Sequence, residues 1–377
     1  VQVPFNRPYV HGKELQYIAD AIEQRKLSGD GKYTKLCQDS IEAQLGTGRS
    51  FLTTSCTDAL EAAAILARIE PGDEVIMPSY TFVSTANAFA LRGAKLCFAD
   101  SGPDNPNMDV NHVASLVSSR TKAICVVHYA GVAVDMDGIM EIAKWHNLKI
   151  IEDAAQGIAA RYKNRPLGTF GALSAFSFHE TKNINSGEGG ALHVNDPELV
   201  ARAEIIREKG TNRSAFFRGE IDKYNWVDIG SSFLPSELIA AFLYAQLEGI
   251  NIIQDKRHII WNVYDEMLRP LSSRTDVSTP HIPQWADHNA HMYYLVVDSL
   301  STRTELIQYL REQGASPAFH YQPLHQSAFF TQTNAFSELP HATRYGDCLI
   351  RLPLFNDLEP EVARRIGQIC LDFFAAR

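Results

Sequence analysis

A lysine, an acidic pair and a cluster of hydroxyls each stand at the end of an apolar run in this 377-residue chain. The run Lys149-Ile-Ile-Glu-Asp-Ala-Ala-Gln156 leads into carboxylates, and Ala175-Phe-Ser-Phe-His-Glu-Thr-Lys182-Asn183 leads into a lysine. Between Leu52 and Ala59 a third run passes through Thr-Thr-Ser-Cys-Thr into helical spacing. If these runs are strands of one open α/β sheet, their ends converge, because ligands collect past the carboxyl ends of such strands. An amine there can condense with a carbonyl, a carboxylate can hold a ring nitrogen protonated, and helix N-terminal amides can take a phosphate. Pyridoxal 5'-phosphate needs that set of three. Glu152 and Asp153 do not read as an acid–base dyad, because adjacent strand residues point to opposite faces.

The positioning elements are legible in the spacing. Apolar runs at Phe51–Thr54, Val75–Met77, Lys95–Phe98, Ala123–His128, Lys149–Glu152 and Ala172–Phe178 predict buried strands. Helical periodicity lies between most of them, at Ala59–Ile69, Val83–Leu91, Val113–Val117 and Gly138–His146, with a further helix over Pro197–Lys209 stopped by Gly210. Continuous rather than alternating apolar strands imply a sheet covered on both faces, hence a mostly parallel α/β sheet with helices on both sides. Ser236–Leu268 reads as one long helix or two joined near Gly249. Beyond Pro270 the pattern becomes α+β: strand-like runs at Met292–Val297 and Pro317–Tyr321, and helices over Thr302–Gln313 and Glu359–Phe374. A large domain over residues 1–250 and a small one over 251–377 are expected.

Composition narrows the partners. A formal net charge of −9 argues against nucleic acid or an anionic membrane surface, so an anionic ligand needs a local basic patch. No apolar run is long enough to span a bilayer, and the N-terminal stretch does not read as a secretory signal. The six scattered cysteines form no CxxC pair, the usage of a reduced, cytoplasmic protein. The histidine groups His288-Asn-Ala-His291 and His320-Tyr-Gln-Pro-Leu-His325 lack a cysteine partner or the helical HExxH pattern, so no metal is expected. Gly46-Thr-Gly48 lacks the third glycine of a dinucleotide fingerprint and precedes a strand, which disfavours a nicotinamide oxidoreductase.

The Glu-Asp-Ala-Ala-Gln and Ser-Phe-His-Glu-Thr-Lys-Asn motifs, followed by Gly187-Glu-Gly-Gly190, resemble those of the DegT/DnrJ/EryC1/StrS sugar aminotransferases. The likeness runs from Pro4-Phe-Asn to Leu352-Pro-Leu-Phe. It implies the fold of type I pyridoxal-phosphate aminotransferases. Lys182 would form the Schiff base and then shuttle the proton, and Asp153 would pair with the pyridine nitrogen. Gln156 would lie near the phenolic oxygen, with Phe82 stacked on the ring and Tyr80 its less favoured substitute. Cys56 and Thr57, by backbone, and Ser177, by hydroxyl, would bind the phosphate. His320 and Tyr321 would line the sugar pocket, whereas His325 reads equally as a structural histidine.

Pro71–Thr85 and Arg207-Glu-Lys-Gly-Thr-Asn-Arg213 further resemble the members that aminate TDP-4-keto-6-deoxyglucose at C4. That likeness implies L-glutamate as donor, a TDP-linked 4-amino-4,6-dideoxy-D-galactose as product, a place in surface-polysaccharide synthesis, and a homodimer with composite active sites. The gluco epimer and a 3-keto-sugar substrate are the nearest alternatives. The basic residues Arg207, Lys209, Arg213, Arg218 and Lys223 would hold the nucleotide diphosphate, or form an ordinary solvated loop. Two departures stand out. The usual Ser-Gly-Thr phosphate cradle reads Ser55-Cys56-Thr57, and the usual Gly-Tyr-Asn-Tyr-Arg reads Gly230-Ser-Ser232-Phe-Leu234. Ser232 can still donate to a phosphate across a dimer, but Leu234 occupies the arginine position. Dehydratases of this fold carry histidine in place of the lysine, and Lys182 disfavours that reading. A non-catalytic sensor of the cofactor or of a sugar nucleotide is the rival from another class.

Overall fold

The computed structural model describes residues 2–332 and 338–377. Strands β1 (Arg49–Thr53), β2 (Glu74–Pro78), β3 (Lys95–Ala99), β4 (Thr121–Val127) and β5 (Lys149–Asp153) are followed by the short pair β6 (Arg161–Tyr162) and β7 (Arg165–Pro166). Then come β8 (Leu173–Ser177) and β9 (Gly190–Val194). The central sheet has the order β1-β9-β8-β5-β4-β2-β3. Its pairings are parallel except at β9, which runs antiparallel to both β8 and β1.

Helices cover both faces, as the unbroken apolar strands require. Helix α1 is Glu14–Glu23, α2 Lys32–Leu45, α3 Cys56–Leu66 and α4 Val83–Ala90. Val75, Met77, Cys125 and Ile151 pack on the alanine-rich face of α3 (Ala59, Ala62, Ala63). The alternate residues Ile76, Ile124, Val126 and Ile150 pack on Met136, Ile139 and Ala143 of the helix Met136–His146. Period-two alternation along each strand thus feeds two cores. The stretch from Ser236 resolves into two helices, Glu237–Glu248 and Ile250–Leu268, that meet at Gly249.

The later strands β10 (Val277–Ser278), β12 (Tyr294–Val297), β13 (Ala318–Phe319) and β14 (Leu349–Arg351) make a second, antiparallel sheet of order β10-β12-β14-β13. Strand β11 (Ala286–Asp287) crosses back to pair with β6. Near the chain start, Val3 donates to the Gly314 carbonyl at 2.7 Å and bridges to Ala315.

Several boundaries differ from the spacing. The helix expected over Val113–Val117 starts at Val110, because the Asp109 carboxylate caps the amides of Asn111 and His112. The helix expected from Pro197 begins with a 3-10 turn and is regular only over Val200–Arg207. It ends where Lys209 and Gly210 both take left-handed backbone angles, φ +63° and +74°. Of Pro317–Tyr321 only β13 is extended.

Helix α2 was not legible, and its start explains why. Gly31 at its N-cap offers no side chain. The cap comes instead from the buried Glu237, which accepts from Gly31 N (3.0 Å), Tyr33 N (2.8 Å), Thr34 N (3.1 Å) and the Thr34 hydroxyl. A carboxylate at a helix N-terminus is favourable on both hydrogen-bond and dipole grounds. Glu237→Ala leaves those donors buried and unpaired, so a loss of about 2–4 kcal/mol in urea unfolding is expected, with Glu237→Gln losing less. A loss below about 0.5 kcal/mol for the alanine variant would show that water replaces the carboxylate.

Candidate active site

At the end of β5 two neighbouring carboxylates part company. Glu152 turns to one face, where it is fully buried. Its oxygens accept from the amides of Gly168, Phe170 and Gly171, each at 2.7 Å, and lie 3.1 Å from His128 Nε2. Burial pushes its pKa up, but His128 and the amides outweigh that and hold it below the ordinary range. Asp153 turns to the other face, into a cavity of about 530 Å³. There it accepts from Thr85 Oγ1 at 2.7 Å and from the Ala155 amide at 3.1 Å. Burial raises its pKa against those two donors and Lys182. A cation placed beside it would restore the carboxylate form.

Lys182 lines the same cavity, on the loop between the antiparallel strands β8 and β9. The loop is pinned by its own backbone: Phe178 N to Gly189 O and Glu180 N to Gly187 O, both 2.8 Å, and Ser186 N to Phe178 O at 2.7 Å. Two asparagines of the same loop tie it to distant parts of the chain. Asn183 donates to Gln254 Oε1 (2.9 Å) and Asn289 O (2.8 Å), and its oxygen lies 2.8 Å from His291 Nδ1. Asn185 donates to Tyr9 O at 3.2 Å and Gln246 Oε1 at 3.3 Å. Burial pulls the Lys182 ammonium below the ordinary lysine range, although Cys56 and Asp153 oppose the shift. The neutral amine, the nucleophilic form, is thereby favoured.

The third wall is the N-terminus of α3. Ser55 caps it by accepting from Asp58 N at 3.1 Å, so the amides of Cys56 and Thr57 keep no intrahelical acceptor. Thr57 Oγ1 bonds Ser84 Oγ at 2.7 Å, joining α3 to α4. Gly190, the first residue of β9, lies flat against this turn. A Cβ there would stand 2.3 Å from Ser55 C and 2.4 Å from Cys56 N. Ser177 lines the cavity beside it. Free helix-end amides, a hydroxyl, an amine inclined to neutrality and a buried carboxylate on one cavity fit a phosphorylated aromatic aldehyde.

The remaining wall comes from the second sheet. His320 and Tyr321 stack at 3.9 Å, and Tyr321 accepts at its hydroxyl from Gln156 Nε2 at 3.2 Å. Burial pushes the Tyr321 phenol up to about 12. Phe82 stands at the rim, 55% exposed and 6.1 Å from the Tyr321 ring. Tyr80, its less favoured substitute, is instead buried behind, with its hydroxyl donating to the His320 carbonyl. Thr85, Asn183 and Arg351 belong to the site and were not picked out from sequence, and His291 was weighed there only as a metal ligand. Only Arg351, a charge inside the apolar run Leu349-Ile-Arg-Leu, carried a local signal.

Some expected site residues lie elsewhere. Ser232, Lys209, Arg213 and Arg218 line a separate concavity of about 770 Å³ together with Leu234. Lys209 and Arg213 pair with Glu208, and Arg218 pairs with Glu204 and Glu220. Arg207 is buried and structural, donating to Leu52 O at 3.3 Å and pairing with Asp30. His325 sits 2.7 Å from Ser79 Oγ, away from His320's partners. Among the described residues no helix is long and apolar enough to cross a membrane.

Comparison with known proteins agrees with the geometry. The DegT/DnrJ/EryC1/StrS aminotransferase family profile matches residues 8–370. The chain is 30% identical to the UDP-4-amino-4-deoxy-L-arabinose–oxoglutarate aminotransferase of Shewanella sediminis, covering 97% of this chain and 96% of that one. It is 32% identical to the GDP-perosamine synthase of Caulobacter vibrioides over 84% of each. The solved aminotransferase TlmJ of Streptoalloteichus hindustanus superposes with a TM-score of 0.91 at 27% identity, covering 100% of both chains.

The close approach of β9 to the Ser55–Cys56 turn makes Gly190 testable. Gly190→Ala must push backbone away from backbone, so pyridoxal phosphate should dissociate at least about tenfold more readily, read by absorbance after dialysis. Unchanged retention would mean that the α3 turn tolerates the displacement.

Proposed function

The chain belongs to the DegT/DnrJ/EryC1/StrS aminotransferase family, and from that premise we propose a C4 aminotransferase acting on TDP-4-keto-6-deoxy-D-glucose. The protein is a pyridoxal-phosphate-dependent aminotransferase of nucleotide-linked sugars. The reading adds L-glutamate as donor and TDP-4-amino-4,6-dideoxy-D-galactose as product, made in the cytoplasm for a surface polysaccharide. The observation that carries it is Lys182 and Asp153 on one cavity with the amide end of α3. The likeness of Pro71–Thr85 and Arg207–Arg213 to C4-aminating members supports the finer assignment.

In this reading residues 1–250 form the cofactor domain and 251–377 the small domain, which brings His320 and Tyr321 over the sugar. Two copies associate, and Ser232 with the basic residues Lys209, Arg213 and Arg218 of one copy completes the cavity of the other, meeting the phosphate and the nucleotide diphosphate.

When bound, pyridoxal phosphate supplies a carbonyl that condenses with amines and a ring that draws off electrons from the substrate carbon. Asp153, fixed by Thr85 and the Ala155 amide, would hold the proton on the ring nitrogen. Lys182 Nζ would anchor the cofactor and, as general base, carry a proton between the substrate carbon and the cofactor carbon. The Cys56 and Thr57 amides with Ser177 would hold the phosphate, Phe82 would cover the ring, and Gln156 would serve the phenolic oxygen. The half-buried aromatic wall of Tyr321 and His320 would limit the access of water to the reacting carbon.

Lys182→Ala should leave the fold intact and reduce turnover by at least about 10⁴-fold, since one group serves as both anchor and proton carrier. Borohydride reduction and peptide mapping of the native chain should place the pyridoxyl label on Lys182, and a label elsewhere overturns the assignment.

Incubation with glutamate and the 4-keto sugar should give an axial amine, seen as small couplings on both sides of H4 in the proton NMR spectrum. Large couplings on both sides would refute the galacto product in favour of gluco. Turnover of a 3-keto isomer alone would refute C4.

A further inference from the structure

One cation in the Lys182 cavity lacks an anion. Arg351, the last residue of β14, is 8% exposed and lines the cavity wall. Its Nη1 stands 2.6 Å from His320 Nε2, its buried Nε has no partner, and Nη2 makes no hydrogen bond to a described residue. The guanidinium lies over the Phe5 ring, 4.6 Å from its centroid. The phenols around it, Tyr80, Tyr129 and Tyr321, are all held neutral by burial. Arg257, also buried, is different: it donates to the carbonyls of Ala290, His291 and Leu354 and to Asn356 Oδ1. Arg257 is satisfied by the protein, and Arg351 is not. A buried guanidinium left short of donors' partners is costly unless a ligand supplies the anion.

Its neighbour fixes how it points. A ring nitrogen 2.6 Å from an arginine must accept, so His320 is neutral with its proton on Nδ1, toward Tyr129 Oη at 3.3 Å. Burial and the charges of Arg351 and Lys182 hold His320 in that form. One side of the guanidinium is thus occupied by His320, while Nη2 remains available.

Three kinds of anion meet this enzyme under the reading above, on which the assignment rests. The cofactor phosphate has the amide end of α3. The sugar's diphosphate has the basic residues of the separate concavity. The amino donor's carboxylate has no other cation assigned, and a planar carboxylate matches a guanidinium better than a point charge does. Arg351 and Lys182 line the same cavity, of about 530 Å³. The donor's carboxylate bonded to the reacting carbon is therefore the one within its reach. We propose that Arg351, oriented by His320, receives the α-carboxylate of the amino donor. The same cavity then accepts an anionic amino acid and a neutral hexose in turn, with Arg351 distinguishing them.

The two half-reactions separate this role from others. Stopped-flow absorbance of the holoenzyme follows glutamate amination of the cofactor alone, and then reaction of the aminated enzyme with the keto sugar alone. In Arg351→Met the glutamate step should fall about 10²- to 10³-fold in rate over half-saturating concentration, while the sugar step, which loses only the support of His320, should fall by less than about tenfold. Native enzyme should prefer L-glutamate to its α-carboxamide by a similar factor, and the variant should not discriminate. Glutarate, titrated by absorbance without turnover, should bind about 100-fold more weakly to the variant. Equal or greater loss in the sugar step would reassign Arg351 to the diphosphate, and unchanged glutarate affinity would remove it from carboxylate binding. If Arg351→Met does not fold, Arg351→Lys answers the same question, with a smaller loss expected on glutamate only. The glutamate and glutarate measurements need no sugar, so an enzyme that refuses the 4-keto sugar but obeys them refutes the substrate reading and not this one.

Discussion

The site depends on how β5 ends. Alternation along a strand gives Glu152 and Asp153 opposite faces, and the two spend their charge differently. Glu152 gathers three amides from the loop before β8 and faces His128, so it fixes where β8 begins relative to β5. Asp153 is left with two donors and an open side toward the cavity. Together with the parallel pairing of β5 and β8, the first helps to set the register of the lysine loop against the second. A fully bonded buried carboxylate is stable only while every partner remains, so that corner of the molecule is rigid.

The lysine loop inherits that rigidity and adds a second constraint. A parallel crossover would carry the chain away from the cavity through a helix. The antiparallel return of β9 keeps both ends of the loop at the sheet's carboxyl edge. The loop itself is irregular, and Asn183 and Asn185 replace secondary structure with side-chain hydrogen bonds to Gln254, Asn289 and Gln246. Each such bond is worth about 1 kcal/mol net, but leaving one buried partner unmet costs more, which discourages partial unfolding of the loop.

What was legible in the sequence was local. Six buried strands announced themselves as apolar runs, and Lys182, Asp153, Gln156, Ser177, His320 and Tyr321 do share one cavity. Strand β9 was obscured because its glycine-rich start reads as a turn, although the glycine is there to let backbone press on backbone. Helix α2 carries no cap of its own, since the capping carboxylate comes from Glu237, some 200 positions later. Thr85, Asn183 and His291 look like ordinary polar residues until the fold sets them against Asp153 and the lysine loop. The basic residues from Arg207 onward were grouped by charge, but Arg207 is buried structure and Lys209, Arg213 and Arg218 face a different concavity.

The cavity draws on Phe5 at one end of the chain and Arg351 near the other, with Val3 fastened to Gly314. During synthesis the central sheet, with Asp153 and Lys182, can assemble before most of the 183 residues after β9 have emerged. At that stage the lysine's loop lacks Gln254 and Asn289, the aromatic wall is missing, and the N-terminal segment has nothing to bind. A nascent chain therefore exposes an unfinished pocket, and the last long-range closures, the slowest kind to form, are the ones that enclose the chemistry.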